Sequence, residues 1–350
     1  RQMSRTLETL EFDNKALRRL PLDAIEDNYV RSVSNACFSR VRPTPLSNPR
    51  LVSYSKSALK LIDISEEEVV SEDFVQYMTG NKLMSGSEPA SHCYCGHQFG
   101  TFAGQLGDGA VIYLGEVVTS CGDRWEIQLK GAGRTPYSRE ADGRKVLRSS
   151  VREFLCSEAM HGLGGATTRA ATCVISDDKV VRDMFYKGEP TLEYCSVISR
   201  LAPTFLRFGS FEIFKTVDPM TGRRGPSVGR NDILLSLIEY TIETFFPEIH
   251  NQMNISNVEK YKMFYKQVVN KTAQMVAFWQ TIGFCHGVLN TDNMSIIGLT
   301  LDYGPFGFMD RFDWDHVCNT SDEGGRYSYA KQPEICKWNL FKFAEALQPI

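Results

Sequence analysis

The chain has 350 residues, 42% hydrophobic and 23% charged, enough apolar material to bury a sizeable core in one large or two ordinary domains. A formal net charge of −3 and a pI near 6.1 supply no general attraction for nucleic acid or an anionic membrane, so neither is expected as a partner and any anion site must be local. No run of about eighteen apolar residues occurs, which excludes a membrane-spanning helix.

Residues 1 to about 90 mix polar and apolar sequence with prolines at 21, 43, 45 and 49. They read as an irregular N-terminal extension with short helices such as 57–64, and no chemistry is visible there. The start at Arg1 in place of Met, and the end at Ile350 just after a helical stretch over 338–347, are expected to be cuts from a longer protein. Ten cysteines are scattered singly apart from Cys93-x-Cys95. That is neither a disulfide framework nor a paired zinc pattern, and it points to a reducing compartment. His92-Cys93-Tyr94-Cys95-Gly96-His97 puts four soft ligands within six residues. Adjacent residues rarely wrap one tetrahedral ion, however, and no second ligand pair follows.

From Gly100 to Leu129 the pattern changes to glycine-rich turns and β-prone runs. Residues 110–114 and 125–129, separated by a turn at 121–123, predict a hairpin whose second strand ends in Lys130. A helix is predicted over 145–160, with Leu147, Val151, Phe154 and Leu155 on one arc and Glu153 off it. Another is predicted over 233–246, capped by Asn231 or Asp232 and followed by Pro247. A third carries Tyr261, Phe264, Val268, Met275 and Trp279 on one face and ends near Gly283. After the segment 286–293, the stretches 294–297 and 299–301 flank Gly298 and predict a small hairpin delivering Asp302.

The segment His286-Gly-Val-Leu-Asn-Thr-Asp-Asn293, followed by Asp302-Tyr303-Gly304, is a broken form of the protein-kinase pair H-R-D-x-x-x-x-N and D-F-G. Asn293 and Asp302 fall on the metal-binding positions, and their hard oxygens suit Mg²⁺ beside phosphate oxygens. The slot of the catalytic Asp falls on Val288, which cannot accept a proton. Upstream, Lys130 and Glu153 stand where a strand lysine and a helix glutamate pair to position nucleotide phosphates. The order of these parts is that of an α+β, two-lobed protein-kinase-like (pseudokinase) fold. The N-terminal extension would cover 1–90, the N-lobe 91–199 and the C-lobe 200–350, incomplete at its C-terminus.

Around this frame, Gly104-Gln-Leu-Gly107-Asp108-Gly109 either lets backbone N–H groups approach phosphates or simply turns the chain. The segments 131–136 and 142–144 are candidate pocket walls. Arg200 and Arg207, two helical turns apart if that stretch is helical, could fork onto one polyphosphate or be surface arginines. Asp292 is the carboxylate left to act as base, a solvated loop Asp being the other reading. His286 reads as a structural loop residue.

With these strings in view the sequence resembles the selenoprotein O family, called YdiU in bacteria, across essentially its whole length. The resemblance rests on Gly96-His-Gln-Phe-Gly100, Gln105-Leu-Gly-Asp-Gly109, Gln128-Leu-Lys-Gly-Ala-Gly-Arg-Thr-Pro-Tyr-Ser-Arg139, Asp142-Gly-Arg144, the segment 286–295 and Asp302-Tyr-Gly-Pro305. That family is similar to protein kinases in fold but binds ATP flipped and transfers AMP to protein hydroxyls, releasing pyrophosphate. The resemblance implies Gly107, Gly109, Ala110, Lys130, Asp142, Gly143, Arg200, Arg207 and Asp302 as nucleotide contacts. It further implies Asn293 and Asp302 as ligands of Mg²⁺, or of Mn²⁺ in its place, Asp292 as proton acceptor and Glu153 as partner of Lys130. Ala110 stands where many bacterial members carry an arginine, which puts one phosphate contact of the glycine turn in question. The family's C-terminal region, with the selenocysteine of some animal members, is not in these residues, and its loss is expected to leave apolar surface exposed.

The function so implied is a protein adenylyltransferase that moves AMP from Mg-ATP to Ser, Thr or Tyr hydroxyls of protein substrates. A mitochondrial location is inherited from the resemblance. The alternative is a non-catalytic nucleotide-binding pseudokinase scaffold, which has no need of a carboxylate at Asp292. A kinase moving the γ-phosphate has Val288 against it.

Overall fold

The structure, a computed structural model, describes residues 5–184 and 187–350; residues 1–4 of the expected extension lie outside them. Its strands are β1 (Phe38–Arg40), β2 (Arg50–Tyr54), β3 (Ala90–His92), β4 (Cys95–Gln98), β5 (Thr101–Gln105), β6 (Val111–Val118), β7 (Arg124–Lys130), β8 (Lys145–Val146), β9 (Arg169–Arg182), β10 (Thr191–Ala202), β11 (Phe284–Cys285) and β12 (Gly307–Phe308). Its helices are α1 (Lys15–Arg19), α2 (Lys56–Lys60), α3 (Phe74–Thr79), α4 (Leu147–Gly162), α5 (Phe208–Phe211), α6 (Asn231–Phe245), α7 (Pro247–His250), α8 (Asn257–Thr281) and α9 (Gln332–Leu347).

One antiparallel sheet runs β1-β3-β6-β7-β10-β9-β2, with β8 also pairing β10. The predicted hairpin is its β6–β7 pair, where Val111 lies opposite Lys130 and the turn is closed by Gly122 at φ 86°. β6 is buried on both faces: Ile112, Leu114 and Val117 join a cluster with Leu7, Leu10, Leu59 and Phe74, while Tyr113 joins the helical side. Residues 38–54 supply both edge strands of the sheet.

The helical half packs α6, α8 and α9 around Phe208, Phe211, Phe264 and Phe343. In α8, Phe264, Val268, Met275 and Trp279 are buried as their spacing predicts, and Ser256 caps the helix by accepting from the Glu259 N–H at 3.2 Å. Four predictions are corrected. The helix at 145–160 starts only at Leu147, because Lys145 and Val146 are held by β10. Its apolar arc is also shorter than expected: Phe154 is buried while Leu155 faces solvent. In α6 the capping position is Arg230, with Asp232 ion-paired to it at 2.7 Å rather than capping. The hairpin expected at 294–301 is reduced to a single bridge, Met294 to Thr300. The architecture is α+β, and among the described residues no helix is long and apolar enough to cross a membrane.

Candidate active site

Lys130 ends β7 opposite Ile198 of β10, and Arg200 stands two residues farther along opposite Gln128. Residues paired across an antiparallel ladder share a face, and this one looks onto α4. There Glu153 receives Lys130 Nζ on Oε2 at 2.7 Å and Arg200 Nη1 on Oε1 at 3.1 Å. The glutamate left off the apolar arc is therefore buried because two cations hold it. Both cations continue to Asp302, Lys130 in a short contact and Arg200 at 3.3 Å, and Arg200 Nη2 donates to Gln128 at 3.0 Å. Burial alone would raise Asp302. The charges of Lys130 and Arg200 outweigh it and hold the carboxyl well below the usual range.

Arg200 and Arg207 are not on a helix, contrary to that reading. Arg200 lies in β10 and Arg207 precedes α5 in extended backbone. Both are buried, and they diverge: Arg207 donates to the Asp292 carbonyl at 2.8 Å, pairs with Asp108 at 3.7 Å and stacks over Tyr94 at 4.2 Å.

Asp292 is in the 3₁₀ turn Thr291–Asn293 and is buried, not a solvated loop residue. Gln98 donates to Oδ2 at 3.2 Å, while Oδ1 has no partner among the described residues. Burial pushes its pKa up to about 7, against the Arg207 charge and the Gln98 hydrogen bond. The space for Oδ1 exists because residue 96 is glycine; a Cβ there would lie 2.5 Å from it. Asn293 turns Nδ2 to the Val288 carbonyl at 2.9 Å, leaving Oδ1 without a donor among the described residues. His286 is buried against Trp279, accepts from the Val288 N–H at 3.3 Å on Nδ1, and is pushed down to about 4 by burial, in keeping with a structural loop residue.

The glycine turn is braced from the segment after Lys130. Gly107 has φ 73°, and a Cβ on it would lie 2.3 Å from the Tyr137 ring; one on Gly109 would meet the Tyr137 carbonyl at 2.8 Å. Their N–H groups already bond the Tyr94 and Gly107 carbonyls at 3.0 and 2.9 Å, so the glycines first serve packing. Ala110 receives the Gly131 N–H at 2.7 Å and so adjoins the end of β7. Asp142 has its ion pair with Arg182, which reaches both its oxygens at 2.8 Å, rather than with Lys130, and Gly143 packs on Gly133, whose carbonyl a Cβ would approach to 2.1 Å. The four soft ligands at 92–97 do not converge, since no group of three or more His, Cys, Asp or Glu among the described residues could hold a metal.

A protein-family model described as protein adenylyltransferase SelO matches residues 23–350. The chain belongs to the SelO family. It is 60% identical over 355 residues to the mitochondrial protein adenylyltransferase SelO of Mus musculus, covering 99% of this chain and 53% of the mouse protein. The Homo sapiens counterpart is 60% identical over 353 residues, with the same shares covered. The protein nucleotidyltransferase YdiU of Methylobacillus flagellatus is 51% identical over 339 residues, covering 97% of this chain and 63% of that protein. The chain thus spans about half the length of the mammalian SelO proteins it matches.

Within this SelO-family site, sequence reasoning passed over Gly96, Gln98, Asp108 and Glu212. The first three lie inside strings already singled out. What was missing was a reason to look at them, because their contacts to Asp292 and Arg207 bridge 99 to 196 residues of chain.

Proposed function

We propose that this chain carries the nucleotide site and the proton acceptor of a protein adenylyltransferase, transferring AMP from Mg-ATP to Ser, Thr or Tyr hydroxyls of protein substrates and releasing pyrophosphate. The observation that carries this reading is the buried carboxylate of Asp292, with one oxygen unpartnered among the described residues, in a segment 286–293 whose kinase-type base position is Val288. Asp292 Oδ1 takes the proton of the attacking hydroxyl. Lys130, Arg200 and Arg207 hold the phosphates and stabilise the charge that develops on the departing pyrophosphate. Glu153 holds Lys130 and Arg200 in place, and Gly107, Gly109, Ala110, Asp142 and Gly143 wall the nucleotide pocket.

A magnesium ion fits the donors present. Asn293 Oδ1 is free of hydrogen bonds among the described residues, Asp302 is about one-third exposed, and Mg²⁺ prefers one or two such oxygens completed by phosphate and water. When bound by Asn293 and Asp302 it would supply neutralisation of the phosphate charge. We further propose the kinase-like division into an extension over 1–90, an N-lobe over 91–199 and a C-lobe over 200–350. The mammalian and zebrafish relatives named mitochondrial support a mitochondrial setting.

The test supplies Mg²⁺ and ATP labelled at the α- or the γ-phosphate to the full-length protein with a general protein substrate. Label from the α-position alone is expected, and Asp302→Ala should abolish it. Label from the γ-position would overturn AMP transfer, and label persisting in Asp302→Ala would overturn the metal assignment.

A further inference from the structure

We propose that Lys145 is a further phosphate-binding residue, gripping the pyrophosphate end of the nucleotide beside Lys130. This rests on the nucleotide reading above. Lys145 lies in β8, a two-residue strand on the same edge of β10 as β7, with Lys145 opposite Ser196 as Lys130 is opposite Ile198. Ser196 bonds Ser150 of α4 at 2.6 Å, as Arg200 bonds Glu153 of α4. The shared-face rule therefore turns Lys145, Lys130 and Arg200 to one side. Two positions along a strand separate Lys145 from Lys130, about 7 Å. The residue after Lys130 is Gly131, at φ 102°, and a Cβ on it would come within 2.9 Å of the Lys145 Cβ. Glycine there lets the lysine stem lie against the end of β7.

Ion pairing separates Lys145 from its neighbours. Lys130 and Arg200 both pair with Glu153 and Asp302, and Arg207 pairs with Asp108. Lys145 has no ion pair among the described residues. On this face three cations, Lys130, Lys145 and Arg200, meet two carboxylates, Glu153 and Asp302, and the uncompensated charge is that of Lys145. Burial and the Lys130 charge push its pKa down to about 8, the mark of an ammonium short of counter-charge. A polyphosphate supplies that charge and the oxygen acceptors an ammonium needs.

The experiment measures binding of ATP, inorganic pyrophosphate and AMP to the full-length protein by calorimetry, for wild type, K145M, K145Q and K145R. Lys145→Met should weaken ATP and pyrophosphate about ten-fold, the scale of one charge-assisted hydrogen bond, and leave AMP unchanged. K145R should recover most of the loss, and K145Q reports the same loss if methionine disturbs β8. Unchanged pyrophosphate affinity in K145M and K145Q would overturn the proposal, as would an equal loss for AMP, which would mark a change of pocket shape. Binding needs no turnover. If the wild type binds pyrophosphate through Lys145 but transfers no α-label, the adenylyltransferase reading fails while this assignment stands.

Discussion

At the scale of single residues, the site depends on an atom that is missing. Gly96 lies in β4, outside the positive-φ glycines, so alanine suits its backbone. Its Cβ would nevertheless meet Asp292 at Oδ1 (2.5 Å) and Cβ (3.0 Å). Because the Thr291–Asn293 turn is tied down on both sides, the carboxylate would have to swing away, and displacements near 1 Å cost on the order of 100-fold in rate. Gly96→Ala is therefore expected to cut AMP transfer at least ten-fold while ATP affinity, measured by calorimetry, stays within about two-fold. Unaltered turnover would remove Asp292 from the proton-acceptor role. Asp292 itself was legible in the sequence, because its position beside Asn293 is a local fact. Its burial was not, because Gly96, Gln98 and Arg207 reach it from other elements.

At the scale of elements, what was legible followed one periodicity. The β6–β7 hairpin has β-branched and aromatic runs around a glycine turn, and α8 shows one apolar face over 25 residues. The stretch holding Arg200 misled because β10 is buried on both faces from Cys195 to Ala202, so the alternation that marks a half-buried strand is absent. The brace between β4 and the Thr291–Asn293 turn was invisible as well. The buried Glu212 carboxylate receives Thr291 Oγ1 on one oxygen and meets His97 Nδ1 at 2.6 Å on the other, while the His97 N–H donates to Thr291 Oγ1 at 2.7 Å. Thr291→Val keeps the shape and removes both bonds, leaving a buried carboxylate and a buried N–H short of a partner. Denaturant unfolding should show a loss of about 1–3 kcal/mol, with kcat falling and the KM for ATP unchanged. A stability loss without a kcat effect would make the brace purely structural.

At the scale of the whole molecule, the sheet and the helical half meet over a pair of buried carboxylates. Glu116 and Glu126 face each other across β6 and β7. Glu116 ties the sheet outward, accepting the Ala16 N–H of α1 at 2.7 Å and the Tyr240 hydroxyl of α6 at 3.1 Å. Glu126 accepts the Phe205 N–H at 3.2 Å, just past β10. Burial, and then the charge of Glu116, pushes the Glu126 pKa up to about 8, because two carboxylates in one dry place cannot both ionise cheaply. The sign follows from proton counting. Between the ordinary carboxyl pKa and about 8 the folded chain holds a proton on Glu126 that the unfolded chain releases. This residue's contribution to stability therefore falls as pH rises through that window and is constant above it. Glu126→Gln resembles the protonated form and keeps an oxygen for Phe205. It should come within about 1 kcal/mol of the wild type at pH 5 and exceed it at pH 8.5 by a margin on the order of 5 kcal/mol at most, read as a higher melting temperature. A variant that tracks the wild type at both pH values would mean that Glu126 stays charged in the fold despite the neighbouring Glu116.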